Sequence, residues 1–297
     1  MPAPRRVLRA RDRMLELGER PLLMGIVNAS PDSFSDRHDG LEAQVEHARR
    51  LLADGADLLD VGGESAVTNV PPVEPAEEIG RVVPLVERLA SELGALVSVD
   101  TYKPEVAKAA IAAGAAIVND VSGLRDERLA DVCARTGAAL VVMHTAAAPK
   151  QRRQDAALYG DVFAEVAAFL RERMDVALSR GVADEQLIVD PGPDFAKTPA
   201  QTIALLRRLG ELEELGRPVL LAASRKDFVG AITTRRPRER EAGTLAALGF
   251  GVDAGVHLLR VHDVRGAADY LAVRAVLRGE RDVPDDLALT DEIRLER

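Results

Sequence analysis

The stretch LVSVDTYKPEVAKAAIAAGAAIVND, residues 96–120, carries the pattern that decides the fold. Leu96 to Val99 is a short apolar run that ends in Asp100-Thr101. Pro104 then opens an amphipathic stretch to Ala113, and proline in a first helical turn is a start signal. Gly114 closes that stretch. Ala116 to Val118 is a second apolar run, and it ends in Asn119-Asp120. Strand, helix, glycine, strand is one β-α-β unit, with a polar residue at the end of each strand.

The same unit recurs on both sides. Further apolar runs are Leu22 to Val27, Leu58 to Val61, Ala139 to Met143, Leu187 to Val189, Val219 to Ala222 and Leu258 to Val261, which makes eight. They are continuously apolar, as strands buried on both faces are. Helical patterns lie between them at Leu41 to Asp54, Pro75 to Leu93, Asp161 to Ser179, Pro199 to Leu215, Gly243 to Ala254 and Arg265 to Leu277. Eight β-α units in about 260 residues predict an α/β fold, a single-domain (β/α)8 TIM barrel over residues 21–279. A doubly wound open sheet is the alternative, weakened because no glycine-rich dinucleotide fingerprint follows the first strand. Residues 1–20 read as an N-terminal extension covering the barrel bottom, and residues 280–297 as a charged C-terminal tail.

Composition narrows the function. Of 297 residues, 47% are hydrophobic and 29% charged, so the chain buries a sizeable core. Aromatics are 3% with no Trp, which argues against base-stacking platforms. Lys and Arg number 39 against 48 Asp and Glu, a net charge of −9, and such a chain lacks the footprint of a nucleic-acid binder. Cys133 is the lone cysteine, which excludes an intrachain disulfide and a cysteine metal site. No apolar run reaches the ~18 residues of a membrane span, and no apolar stretch follows the arginines of residues 1–13 as in a signal peptide. The expectation is a cytoplasmic protein with no membrane partner.

In a barrel the active site forms where strands end. The first strand ends in Asn28. The second contains Asp60 and ends at Gly62-Gly63-Glu64-Ser65. The next end in Asp100, Asn119, His144 and Asp190. The seventh ends in Ser224-Arg225-Lys226, and the eighth carries Arg260 and ends in His262-Asp263. One Asp after a strand reads as a helix cap, and Asp120 and Asp263 are expected to serve their loops. Eight polar strand ends on one face are not explained by capping. Asp100, Asn119 and Asp190 offer acceptors for a heterocycle with amino and ring N–H donors. Lys226, Arg260 and protonated His262 would suit an anionic leaving group such as phosphate. No ligand spacing for a tight transition-metal site is present. Mg²⁺ shared with phosphate oxygens is the more plausible metal.

The segments Met24 to Asp36, Asp60 to Ser65, Ser98 to Thr101, Val118 to Gly123, Asp190 to Gly192, Ser224 to Lys226 and Arg260 to Asp263 together resemble the dihydropteroate synthase family, over about residues 20–278. The resemblance implies a folate-pathway transferase in which p-aminobenzoate displaces pyrophosphate from 6-hydroxymethyl-7,8-dihydropterin pyrophosphate. It implies that Asp100, Asn119, Met143, Asp190, Lys226 and Arg260 form the pterin site. Asn28, Arg260 and His262 would bind pyrophosphate, with Mg²⁺ on Asn28. Phe195 and Ser224 would face p-aminobenzoate. Asp100 and Lys226 would be the catalytic pair, Asp100 stabilising a cationic intermediate. Small-molecule substrates and a homodimer come with the family.

Several loops depart from the family pattern. After Ser65 the usual Thr-Arg-Pro-Gly is Ala66-Val67-Thr68-Asn69. After Gly192 the usual Ile-Gly-Phe-Gly-Lys is Pro193-Asp194-Phe195-Ala196-Lys197. After His144 the usual Met-Gln-Gly is Thr145-Ala146-Ala147. Arg37 is a candidate replacement for the lost loop cation, and Asp194 a like charge set against p-aminobenzoate. These changes leave open a pterin-binding paralogue without condensing activity, and less strongly a pterin-dependent methyltransferase.

Overall fold

A computed structural model describes residues 5–30, 40–65, 68 and 71–294. The chain opens with an antiparallel hairpin, β1 (Arg6–Ala10) and β2 (Arg13–Leu17). Eight parallel strands follow: β3 (Leu22–Asn28), β4 (Leu58–Gly62), β5 (Val97–Asp100), β6 (Ile117–Asp120), β7 (Ala139–Met143), β8 (Leu187–Asp190), β9 (Leu220–Leu221) and β10 (Leu258–Val261). Their order is β8-β7-β6-β5-β4-β3-β10-β9, and a Val189–Val219 bridge joins the two ends into a barrel.

Helices α1 (Leu41–Ala53), α2 (Pro75–Glu92), α3 (Pro104–Ala112), α4 (Arg128–Thr136), α5 (Val162–Ser179), α6 (Pro199–Leu206), α7 (Asp227–Thr233), α8 (Glu241–Asp253) and α9 (Val264–Leu277) surround it. Local chemistry sets their starts. Pro75, Pro104 and Pro199 occupy first turns, where the missing N–H has no intrahelical partner to lose. Asp161 accepts from the Phe163 and Ala164 N–H groups, and Asp263 from Gly266 N–H.

The period-2 alternation of each strand sorts side chains into two cores. Leu23, Leu59, Val97, Val99, Leu140, Val142, Val189 and Leu259 face the helices. Met24, Leu58, Ile117, Val141, Ile188, Leu220 and Leu258 face the lumen, together with Leu8, Ala10 and Leu17 of the hairpin. The hairpin therefore plugs the lower mouth. Arg9 fastens it to Glu185 (3.0 Å) and Gln186 (2.8 Å). Moving up the lumen, the next inward positions are polar on five of the strands (Asp60, Ser98 and Asp100, Asn119, Asp190, Arg260), while β3 and β7 place Ile26 and Met143 there.

Three elements differ from the sequence expectation. The seventh barrel strand is only Leu220–Leu221, because Pro218 has no N–H to give the ladder and Val219 makes a single bridge. The expected helix over 199–215 splits into α6 and a 3-10 segment, Leu209–Leu215. Gly210 favours the break, lying where a Cβ would be 3.4 Å from Ala254 O. The short α7 lies where no helix was expected, since seven residues give too little period to read.

Candidate active site

The centre of the site is Asp60, wholly buried on β4. Its Oδ2 accepts from Arg260 Nε (2.6 Å) and from Asn119 Nδ2 (3.0 Å). Arg260 Nη2 reaches Asp100 Oδ2 at 2.8 Å. The guanidinium is thus held as a plane between two carboxylates, and the Asn119 amide is oriented with its oxygen left to accept. Asp60 Oδ1 and Ser98 Oγ are buried on paired positions of β4 and β5 without a hydrogen-bond partner among the described residues. A buried acceptor left unmatched costs about 1–3 kcal/mol, so this floor favours a ligand that brings donors.

Asp190 ends β8 beside Met143 of β7, which is buried at its strand end. Asp190 Oδ1 accepts from Gly192 N–H (2.7 Å). The Lys226 ammonium lies 4.2 Å from the Phe195 ring centroid, a cation–π contact. Ser224 Oγ lies 2.9 Å from His262 Nδ1 and accepts from His262 N–H (3.3 Å). Asn28 ends β3, half-buried.

Burial sets the charges. It pushes the Asp100 carboxyl up to about 7, with Arg260 opposing and Asp60 adding to the rise. It raises Asp190 to about 6, against the Gly192 N–H and Lys226. Burial also draws the Lys226 ammonium below its ordinary value, opposed by Asp194 and Asp190. The constellation is a pocket of titrating acceptors facing fixed and adjustable cations.

Residues 24–262 match the family of pterin binding enzymes. The chain is 39% identical over 265 residues to the dihydropteroate synthase of Bacillus subtilis, covering 88% of this chain and 90% of that protein. It superposes with a TM-score of 0.85 on the Xanthomonas albilineans dihydropteroate synthase with 4-aminobenzoic acid, at 44% identity over 95% of this chain and all of the other. The same enzyme in complex with 7,8-dihydropteroate gives a TM-score of 0.82 at 43% identity over 95% of this chain and all of the other. The chain belongs to the dihydropteroate synthase family.

All ten site residues expected on that family's pattern lie at C-terminal strand ends or in the loops just beyond them. Two expectations change. His262 was counted as a cation when protonated, but burial, reinforced by Arg225, Arg260 and Lys226, takes it down to about 3. It is therefore neutral in the protein alone and acts as a hydrogen-bonding group. Asp194 is not an unengaged like charge. Its Oδ1 accepts from Thr202 Oγ1 (2.9 Å) and its Oδ2 from Phe228 N–H (3.2 Å) at the start of α7. Glu64, noted at the end of the second barrel strand, serves the loops. It pairs with Lys103 and with Lys150 (3.1 Å), tying together the loops after β4, β5 and β7.

Asp120 accepts from Ser122 and Leu124 N–H and closes its own turn, as a loop residue does. Arg37, and Ala66, Val67 and Asn69 of the altered loop, lie outside the described residues. The sequence reading noted Asp60 in its strand without placing it in the site. The signal was a carboxylate at an inward position of an otherwise apolar strand.

An ionised carboxylate accepts a pterin's N–H groups on either oxygen, whereas a protonated one presents a donor, so affinity is expected to be highest above pH 7. It should fall through pH 7 and 6 as Asp100 and then Asp190 take protons. Below both values, Kd should rise about tenfold per pH unit for each carboxylate that must lose a proton. Calorimetry with a pterin across pH 5–8 checks this, and a flat profile contradicts it.

Proposed function

We propose that the chain condenses 6-hydroxymethyl-7,8-dihydropterin pyrophosphate with p-aminobenzoate to give 7,8-dihydropteroate and pyrophosphate. The observation that carries this reading is the meeting, at one end of one lumen, of the buried acceptors Asp60, Asn119 and Asp190 and the half-buried Asp100 with the cations Lys226 and Arg260. The acceptors match the amino and ring N–H groups of a pterin. Lys226 donates to its carbonyl, and the Arg260 plane lies against its ring. The C–O bond to pyrophosphate breaks with the electron pair leaving on oxygen, while the arylamine forms the new C–N bond and releases its proton to solvent. Asp100 faces the positive charge that builds on the methylene, and Arg260 with His262 faces the leaving group. Phe195 and Ser224 lie on the p-aminobenzoate side.

Asn28 offers one hard amide oxygen. Among the described residues no three His, Cys, Asp or Glu side chains converge for a metal. That donor set fits Mg²⁺ held mostly by phosphate oxygens and water, with Asn28 its protein ligand. Bound there, Mg²⁺ would neutralise leaving-group charge.

Exposed Phe250 on α8, with Val273 and Leu277 on α9, supports a homodimer built on those helices. Among the described residues no helix is long and apolar enough to cross a membrane. The lone buried Cys133 accords with a reducing, cytoplasmic setting.

The test is a purified-protein assay paired with rescue of a strain lacking its own dihydropteroate synthase. Both are expected to succeed. Excess chelator should weaken the pterin pyrophosphate and leave the free pterin unaffected. Pterin binding with no product at any p-aminobenzoate concentration would favour the non-condensing paralogue.

A further inference from the structure

Lys197 is fully buried, although nothing in the mechanism above uses it. Its ammonium meets three acceptors: His144 Nδ1 at 2.8 Å, Gly192 O at 2.9 Å and Phe195 O at 3.1 Å. Three donors on three acceptors satisfies a buried lysine completely. Burial draws the Lys197 amine down to about 7, and in its protonated form all three bonds run outward from it, so Nδ1 accepts and His144 is neutral. Burial and the neighbouring Lys197 take the imidazole down to about 3, in agreement with that geometry. The His144 ring is wedged by Phe169, edge-on at 4.9 Å between centroids, and by Tyr159 at 5.8 Å.

The loop this ammonium holds is strained. Asp194 and Ala196 have φ of 66° and 51°, left-handed values that residues with a Cβ resist. Between them sits Phe195, whose ring lies on the Lys226 ammonium. Gly192, at φ 64°, packs so close to the preceding loop that a Cβ would meet His144 O at 2.1 Å. Other anchors lie on either side of Phe195. Tyr159 donates to Ala196 O at 3.1 Å, and Asp194 is held by Thr202 and Phe228. Lys197 alone among the described residues bonds the Phe195 backbone oxygen and ties it to the loop after β7.

We infer that Lys197, acting through His144, is a positioning residue for the second substrate: it sets the Phe195 ring over Lys226 and so shapes the p-aminobenzoate side of the site without touching it. This rests on the condensing activity proposed above. Of the pterin acceptors, Asp60, Asp100 and Asn119 are held by Arg260 and by one another, and only Asp190 leans on this loop, through the Gly192 N–H, so the p-aminobenzoate side loses more than the pterin side.

The experiment compares wild type, Lys197→Met, His144→Leu and His144→Asn, recording KM for p-aminobenzoate, Kd for the pterin and thermal midpoint. Asn keeps an acceptor close to the position of Nδ1, whereas Leu removes it. The expected result is a KM for p-aminobenzoate raised tenfold or more in Lys197→Met and His144→Leu, with a rise in pterin Kd several-fold smaller, the part that passes through Asp190. His144→Asn should lie near wild type in both. If Lys197→Met does not fold, the His144 pair decides by the same criteria. An unchanged KM in His144→Leu, an equal loss of both substrates, or failure of Asn to rescue overturns the inference. A wild type that binds pterin and forms no product overturns the proposed activity, and this inference with it.

Discussion

Replacing Arg260 with methionine is expected to lower stability by about 3–5 kcal/mol at pH 8 and to abolish turnover. The guanidinium is bonded to Asp60 at 2.6 Å and Asp100 at 2.8 Å, and Asp60 is wholly excluded from water. Methionine fills much of the volume but leaves two carboxylates facing each other without a counter-charge. Such a pair holds protons more tightly in the folded chain than in the unfolded one. Between the ordinary carboxylate value and the raised one, the folded state binds more protons, so it gains relative stability as pH falls. The deficit in urea unfolding should therefore shrink between pH 8 and pH 5 while activity stays lost. A deficit below about 1 kcal/mol, or one that grows on acidification, would show that the three groups are not coupled as the geometry requires.

Asp190→Asn should leave the fold intact and weaken pterin binding about a hundredfold or more. The amide oxygen can still accept from Gly192 N–H, which Asp190 holds at 2.7 Å, so the turn after β8 keeps its bond. The substituted amide then presents N–H to a ligand that also brings N–H. Two donors face to face leave both unsatisfied, and a site built to accept rejects a partner it cannot pair by several kcal/mol. A hundredfold loss corresponds to about 2.7 kcal/mol. Calorimetry giving unchanged affinity, with an unchanged melting temperature, would remove Asp190 from the pterin site.

The barrel was legible in the sequence because each buried strand is a short apolar run and each run ends in a polar residue. The boundaries of β7 and β10 coincide with the runs Ala139 to Met143 and Leu258 to Val261. That regularity also made Asp100, Asn119, Asp190 and Lys226 stand out, since strand ends share one rim. What escaped the reading depends on contacts between distant segments. The charge of His262 follows from how much water its surroundings exclude, which no local pattern records. Asp194 reads as an added charge until the α7 N–H it accepts from is seen 34 residues further on. Lys197 stands beside a loop motif, and only the fold brings His144, 53 residues earlier, to its ammonium.

The lumen has two storeys. Below, Met24, Leu58, Ile117, Val141, Ile188 and Leu258 close over the hairpin with nothing polar among them. Above, one turn of the pleat higher, every inward group that makes hydrogen bonds is part of the charged floor. Heredity can act on these storeys almost separately. Drift at the strand ends leaves a sound container with altered contents, and drift in the lower storey threatens the container whatever the contents. A change of specificity therefore needs only the rim and its loops. The loop after Gly192, with Asp194 and Ala196 in left-handed turns and a bond from α7 to steady them, lies wholly in the upper storey and asks nothing of the frame beneath.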